Sequence, residues 1–443
     1  MYNQLSLSEL DQKLNILVNR GFVPAIAYSL IDQRKIIHQN AIGFSAIHTK
    51  VPIKIKSHSH FRASSITNLI VCLAVLRMQQ QQLLDIDENI STYLGYKFIN
   101  PKFKDIPITL RQLLTHTSSI RDGENAIYTA PNNINLFDLF KLNKKNAEGA
   151  HYYDNASHFD LKRAPGSYFC YSNLNFGVIA TVLEKIMQLR FDVLMQEFVI
   201  NPLELTAIFN SYTLDEETRK THTTLYRKCK NSLWDSKLTW QIQKDQFLEV
   251  NGKFSELTPQ FDEKSYKIGH NASCFFGDAS LRINLQDTTK IALLLAQKGV
   301  LLTPIANVTP VTYEIHEFLT PESFQLLTQN HWKYDVSLKA DKRNGDTFNG
   351  LIKNFGLSNI QFKDHEDSPF GDEGEFWFGH NGEEHGLISG LYCNPKKNQA
   401  IFFAITGLGI EPEIILPSGL YQIEKYILAA LFDGLKTYED RDI

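Results

Sequence analysis

Cysteine is sparse and unpatterned in this chain. Five are spread over 443 residues, at Cys72, Cys170, Cys229, Cys274 and Cys393, with no Cys-x-x-Cys. An odd, widely spaced set argues against a disulfide frame or a zinc cluster and suits a reducing compartment. Long apolar runs are missing too: Leu69–Leu76 is far short of the ~20 residues of a membrane-spanning helix. Long basic tracts are absent. Lys141–Lys145 and Arg227–Lys230 are short and read as solvated faces, and a formal net charge of -4 gives no reason to expect nucleic acid. The opening MYNQLSLSELDQKL is polar and helical, unlike a secretory leader. A cytoplasmic protein is expected, with signal-less secretion left open. The acidic tail at 438–442 says nothing firm. His58 with His60, and His380 with His385, lack a supporting Cys or carboxylate spacing. No metal and no cofactor are expected.

What is present is enough apolar residue, 43% of the chain, for a large core. Ser6-Leu7-Ser8-Glu9 has capping-box spacing, and Leu7, Leu10, Leu14, Leu17 and Val18 follow at helical intervals up to Gly21. Pro24–Ile31 and Lys35–Ile42 read as a hairpin. Further helices are expected over Thr109–Leu114, around Phe176–Ile186, over Phe191–Val199, over Asp287–Gly299 with Asp287 as cap, and over Pro321–Gln329. Tyr212–Ser273 shows no firm pattern. Leu387–Tyr392 and Ala400–Ile405 read as buried strands, and Gly419–Leu435 as an amphipathic helix. Helix and hairpin at one end, hairpin and helix at the other, predict one antiparallel sheet built from both termini.

The organising stretch is Phe61–Met78. Ser64-Ser65-Ile66-Thr67-Asn68 runs into Leu69–Leu76, a helix apolar on nearly every face and therefore buried all round. Ser65 falls at its N-terminus, where free N–H groups favour negative charge. Two readings stay open there: an N-cap serine, or a nucleophile whose own N–H helps hold an oxyanion.

Three segments then occur in order: Ser65-Ile66-Thr67-Asn68, Tyr171-Ser172-Asn173 and His380-Asn381-Gly382. With Phe61-Arg62, Leu110–Ser118, Pro165-Gly166, Asn201-Pro202-Leu203 and the hairpin after His380, the pattern resembles the serine β-lactamase and penicillin-binding-protein superfamily. The arrangement is similar to that of class C enzymes and the related esterases and D-aminopeptidases, over about Leu7–Leu431. The resemblance implies an α/β (α+β) fold of the β-lactamase/transpeptidase type. One unit, 1–443, would hold an α/β lobe (about 1–62 and 286–443) and a helical lobe (about 63–285), with the active-site cleft at their junction. It also implies acyl transfer. Ser65 would be the nucleophile, Tyr171 a proton-transfer partner, Asn173 a substrate hydrogen-bonder, and His380 a wall residue near the leaving group. Asn381 and Gly382 would line the strand side, and the N–H groups of Ser65 and Glu383 would form the oxyanion hole.

One departure matters. The family's Ser-x-x-Lys lysine is Asn68 here. An amide is no base and carries no charge to lower the Tyr171 pKa. Loss of a general base typically costs ~10²–10⁴-fold in rate, about 3–5 kcal/mol of barrier. Glu383 and Glu384 follow the glycine where small residues are usual, and a carboxylate at the rim would repel anions such as β-lactams. Two classes of function follow: a serine hydrolase acting on a small-molecule ester, amide or peptide, or a pseudoenzyme that keeps the cleft for a ligand or a protein partner. His380 standing in as base is one rescue of the first.

Overall fold

The computed structural model describes residues 6–122, 135–140, 158–210, 216–230, 233–243, 248–250, 253–255, 263–275, 281–304, 312–363, 368–370, 375–409, 413–415 and 418–439. The Lys141–Lys145 segment, residues 440–442 of the acidic tail, and residues 364–367 and 371–374 lie outside these.

The capping box forms as the sequence leads one to expect. The Ser6 hydroxyl accepts from the Glu9 N–H at 3.2 Å, the Glu9 carboxylate accepts from the Ser6 N–H at 2.7 Å, and helix α1 runs Leu7–Asn19. Strands β1 (Ala25–Asp32) and β2 (Lys35–Ala46) form the N-terminal hairpin, turning at Gln33 and Arg34, both with positive φ. Short strands β3 (Ile53–Lys54), β4 (Trp332–Lys333), β5 (Asn354–Phe355) and β6 (Ile360–Phe362) join long ones, β7 (Trp377–Glu384), β8 (Leu387–Asn394) and β9 (Gln399–Ile405). Together they make one nine-stranded sheet in the order β4-β5-β6-β7-β8-β9-β1-β2-β3. Strand β1 pairs antiparallel with β9 and with β2, so the two ends of the chain do share a sheet.

All eight residues of β1 and all seven of β9 are buried, because both faces of the sheet are covered. Their side chains alternate between two cores. Ile26, Tyr28, Leu30, Ile401, Phe403 and Ile405 pack towards α1 and the C-terminal helix. Ala25, Ala27, Ile31, Ala400, Phe402 and Ala404 pack into the larger core around the helix that follows Ser65. That helix, α2 (Ile66–Gln80), has twelve buried residues of fifteen, which is why its sequence shows no polar face. Helices α3 (Leu110–Leu114), α4 (Leu174–Met187), α5 (Leu285–Ala296), α6 (Pro321–Thr328) and α7 (Gln422–Glu439) complete the main set. All five cysteines are free thiols.

Three local expectations change. Asn284, not Asp287, caps α5: its side chain accepts from the Asp287 N–H at 3.0 Å, and the Asp287 carboxylate is taken by the N–H and hydroxyl of Thr206. The C-terminal helix starts at Gln422, because Leu420–Tyr421 pair as a short strand with Ile414–Ile415. The helix from Phe191 is α-helical only to Met195 and continues as a π-turn over Gln196–Ile200.

Strand β7 is anchored beside α2 by a buried ion pair. The Arg62 Nε and Nη2 donate to the two Glu384 oxygens, each at 3.0 Å, and Arg62 is 1% exposed. Burial pushes the Glu384 carboxyl up, but the Arg62 guanidinium and His385 more than offset it, and the net shift is below the ordinary 4.5. Its stabilisation is therefore complete above pH ~4.5 and drains as pH falls through the lowered folded value. Glu384→Gln, which removes the negative charge set against the buried guanidinium, is expected to cost about 3 kcal/mol in chemical denaturation at pH 7. Replacing both partners by methionine recovers most of that loss; a loss under about 0.5 kcal/mol for the single change would rule the anchor out.

Candidate active site

The turn into α2 sets the nucleophile candidate. Ser64 is held at φ +48, a strained position for a residue with a side chain. The N–H groups of Ile66, Thr67 and Asn68 are satisfied by the carbonyls of Ala63, Ser64 and Ser65. Ser65 itself has helical backbone angles, φ -68 and ψ -8, and makes no side-chain cap bond. A capping hydroxyl needs an extended ψ to reach the first-turn N–H groups. The Ser65 hydroxyl is thus released from capping, and it lies in the same cavity wall as the Tyr171 phenol, close enough to lower the cost of ionising it.

Asn68 lies one helical turn further on, 4% exposed, and its Nδ2 donates to the Tyr171 Oη at 2.8 Å. Residues 65, 68 and 171 therefore meet. Burial pushes the Tyr171 phenol well above its ordinary value, and the nearby Ser65 hydroxyl and the Asn68 donor pull the other way without overcoming it. An ammonium at position 68 would favour phenolate; an amide gives only a neutral hydrogen bond. Tyr171 is a neutral phenol here.

Two imidazoles lie around this tyrosine. His116 stacks on it with ring centroids 4.1 Å apart. The His116 Nδ1 accepts from the Ser172 N–H at 3.1 Å and the Asn175 amide at 3.2 Å, so its proton sits on Nε2. His380 has its ring centroid 6.0 Å from that of Tyr171, and its Nδ1–H donates to the Asn381 carbonyl at 2.6 Å, leaving Nε2 bare. Neither Nε2 has a partner among the described residues. Burial holds both rings neutral, pushing His380 down to about 4 and His116 well below its ordinary value.

Asn173 stands at the start of α4, yet the cap is Asp122. Its carboxylate accepts from the Leu174 N–H at 2.9 Å, the Asn173 N–H at 3.0 Å and the Ser172 hydroxyl at 2.8 Å. The Asn173 amide also donates to it, at 3.3 Å. Burial raises the Asp122 pKa against these bonds. On the opposite wall, β6 pairs with β7 only as far as Gly379, and residues 380–384 pair with β8 alone. That open edge faces the turn before α2. A Cβ on Gly382 would lie 2.9 Å from the Ala63 carbonyl and 3.1 Å from the Ser64 Cβ, so only glycine allows the approach.

A cavity of about 250 Å³ results, lined by Ser65, Asp122, Tyr171, Asn173, Phe348, Leu351, Ile352, Asn381 and Glu383. Two larger surface hollows, about 530 and 420 Å³, hold none of these side chains. His380 does not line the cavity. Strand alternation puts it on the face of β7 that carries Phe378 and turns toward α2, while Asn381 and Glu383 reach the cavity. The sequence reading made His380 a wall residue; the structure sets its ring tilted beside Tyr171 and outside the cavity lining. Asp122 and His116 went unrecognised as site residues: Asp122 sits in no local pattern, and His116, though inside the Leu110–Ser118 segment, meets Tyr171 only in the completed fold. Among the described residues, no group of three His, Cys, Asp or Glu is placed to hold a metal ion.

Chemically, the arrangement is a serine hydroxyl at a helix start, next to a neutral phenol that an amide holds, beside the unpaired edge of a strand. The Beta-lactamase family model matches residues 10–416. Protein flp of Staphylococcus aureus is 21% identical over 270 residues, which is 59% of this chain and 51% of flp, so the chain spans about half the length of the curated relatives it matches. Two solved structures share the fold. EstCE1, described as a hydrolase with promiscuous acyltransferase activity, aligns with TM-score 0.61 and 18% identity over 98% of this chain and 100% of its own. The octameric penicillin-binding protein homologue from Pyrococcus abyssi aligns with TM-score 0.60 and 16% identity, over 96% and 77%. With the sheet, the buried helix and the serine–tyrosine–asparagine cluster already in place, the near-full-length match establishes that this chain belongs to the Beta-lactamase family.

Proposed function

We propose that the protein is a slow serine hydrolase that acts on small-molecule esters and activated amides through an acyl-enzyme on Ser65. The Ser65 hydroxyl carries this reading: it is released from capping, opens on a cavity and lies beside Tyr171 in its wall. The description of EstCE1 as a hydrolase and acyltransferase is of the same class. The cleft lies between an α/β lobe (about 1–62 and 286–443) and a helical lobe (about 63–285).

Ser65 Oγ attacks the substrate carbonyl, and the oxyanion is held by the N–H groups of Ser65 and Glu383. With no ammonium at position 68, the proton moves through a neutral shuttle. Tyr171 Oη takes the Ser65 proton while giving its own to the leaving group, so no charge is left behind. The Asn68 donor bond orients Tyr171 but lowers the basicity of its oxygen, which makes acylation slow and favours good leaving groups. Asn173 and Asn381 hydrogen-bond the substrate. His380, neutral and beside the tyrosine, acts as a positioning residue. Water, or another acceptor, then releases the acyl group.

A second reading rests on Asn68 itself: a cleft kept for a ligand or protein partner after turnover was lost with the lysine. A fluorophosphonate separates the two. Under the hydrolase reading, intact-mass analysis finds one adduct on the wild type and none on Ser65→Ala. An unlabelled wild type that regains label in Asn68→Lys would favour the binding module.

The shuttle also sets the size of a rescue. Asn68→Lys, checked by thermal melting for an intact fold, is expected to raise the acylation rate with a p-nitrophenyl ester by about 10²–10⁴-fold. A rate unchanged or lowered in a folded Asn68→Lys protein would contradict the role given to position 68.

A further inference from the structure

The described lining of the cavity contains two carboxylates, Asp122 and Glu383, and no Lys, Arg or His. The two acids differ. Asp122 is spent on the start of α4, where four donors surround it. Glu383 is exposed, and its carboxylate lies near enough to the Tyr421 hydroxyl to raise that phenol's pKa. No ion pair among the described residues reaches Glu383. The buried Arg62 is committed to Glu384 on the other face of β7, and Arg227, whose charge is felt at Tyr421, lies over the Trp234 ring at 5.6 Å. Behind Glu383 is another acid, not a base. Glu424 is 3% exposed, its Oε1 is without a partner, and burial with the Glu383 charge raises its pKa to about 8. Burial and the Glu383 charge both favour the neutral form of Glu424, and in neither form does it supply a countercation to Glu383. Phe348, Leu351 and Ile352 supply an apolar surface beside this one negative group.

We infer that the substrate of this cavity carries a positive charge, an ammonium or quaternary amine on a short alkyl arm, seated against Glu383, and that carboxylate-bearing analogues are excluded. The inference takes its location from the Ser65 acyl-transfer reading, since the charged arm hangs from the acyl group that Ser65 would receive. The apolar residues would cover the alkyl arm while Glu383 meets the cation.

Three matched p-nitrophenyl esters test it: 4-(trimethylammonio)butanoate, its neutral isostere 5,5-dimethylhexanoate, and hemi-glutarate. The quaternary amine does not titrate, so any pH effect belongs to the protein. In wild type, kcat/KM for the cation is expected to exceed that of the neutral ester by about fivefold, the scale of a solvent-screened ion pair, with the anion slowest. The preference should shrink as salt is raised. Glu383→Gln brings the cation-to-neutral ratio to about one, and Glu383→Lys inverts the order of cation and anion. Equal rates in wild type, or a preference that survives Glu383→Gln, would overturn the inference. Because these rates need chemistry at Ser65, the methyl amides of the same three acids are also titrated into Ser65→Ala by NMR. Cation-selective binding there, with no fluorophosphonate labelling of wild type, upholds the charge preference while the acyl-transfer reading falls. Binding without charge preference, or no binding of any of the three, refutes the preference.

Discussion

The hydrogen bond from Asn68 to Tyr171 decides the chemistry of this cleft. At 2.8 Å it occupies the place where a cation would otherwise set the charge of the site. A phenol beside an ammonium becomes a base; a phenol beside an amide, and buried, does not. The same bond keeps the tyrosine oriented toward Ser65. Position and charge, which lysine would supply together, are separated here: the geometry survives and the electrostatic drive does not.

The rest of the fold holds that bond in place. Helix α2 is buried on all sides, so Asn68 cannot swing away and water cannot easily replace its donor. Asp122 closes the start of α4 and thereby fixes the segment that carries Tyr171 and Asn173. His116 covers the tyrosine ring, and Gly382 lets β7 approach the serine turn. The Arg62–Glu384 pair ties that strand to the residues just before the nucleophile. Each contact is non-local, so the cleft exists only in the completed fold.

How much of this was legible beforehand follows from the range of each signal. The α1 capping box, the N-terminal hairpin and the strands around Ile388 and Ile401 are local and were readable, as was the burial of the helix after Ser65. Strands β4, β5 and β6, of two or three residues, are too short to show a period and exist because they extend an edge already formed. Asp122 and His116 could not be found from spacing, since their partners lie about fifty residues away. The side that His380 faces was readable in principle: alternation along β7 sets Phe378 and His380 on one face and Asn381 and Glu383 on the other. The missing lysine was the clearest mark of all, and the charge it withholds from Tyr171 was readable; the donor bond by which Asn68 takes its place was not.

The most direct test is the ionisation of Tyr171. With tyrosine labelled at Cζ with ¹³C, NMR titration assigns each phenol, and Tyr171→Phe identifies the signal. The account predicts that Tyr171 stays protonated through pH ~10, where an unperturbed tyrosine is half ionised. A Tyr171 that ionises below pH ~9 would show a cation in the site that this account does not contain, and would contradict it.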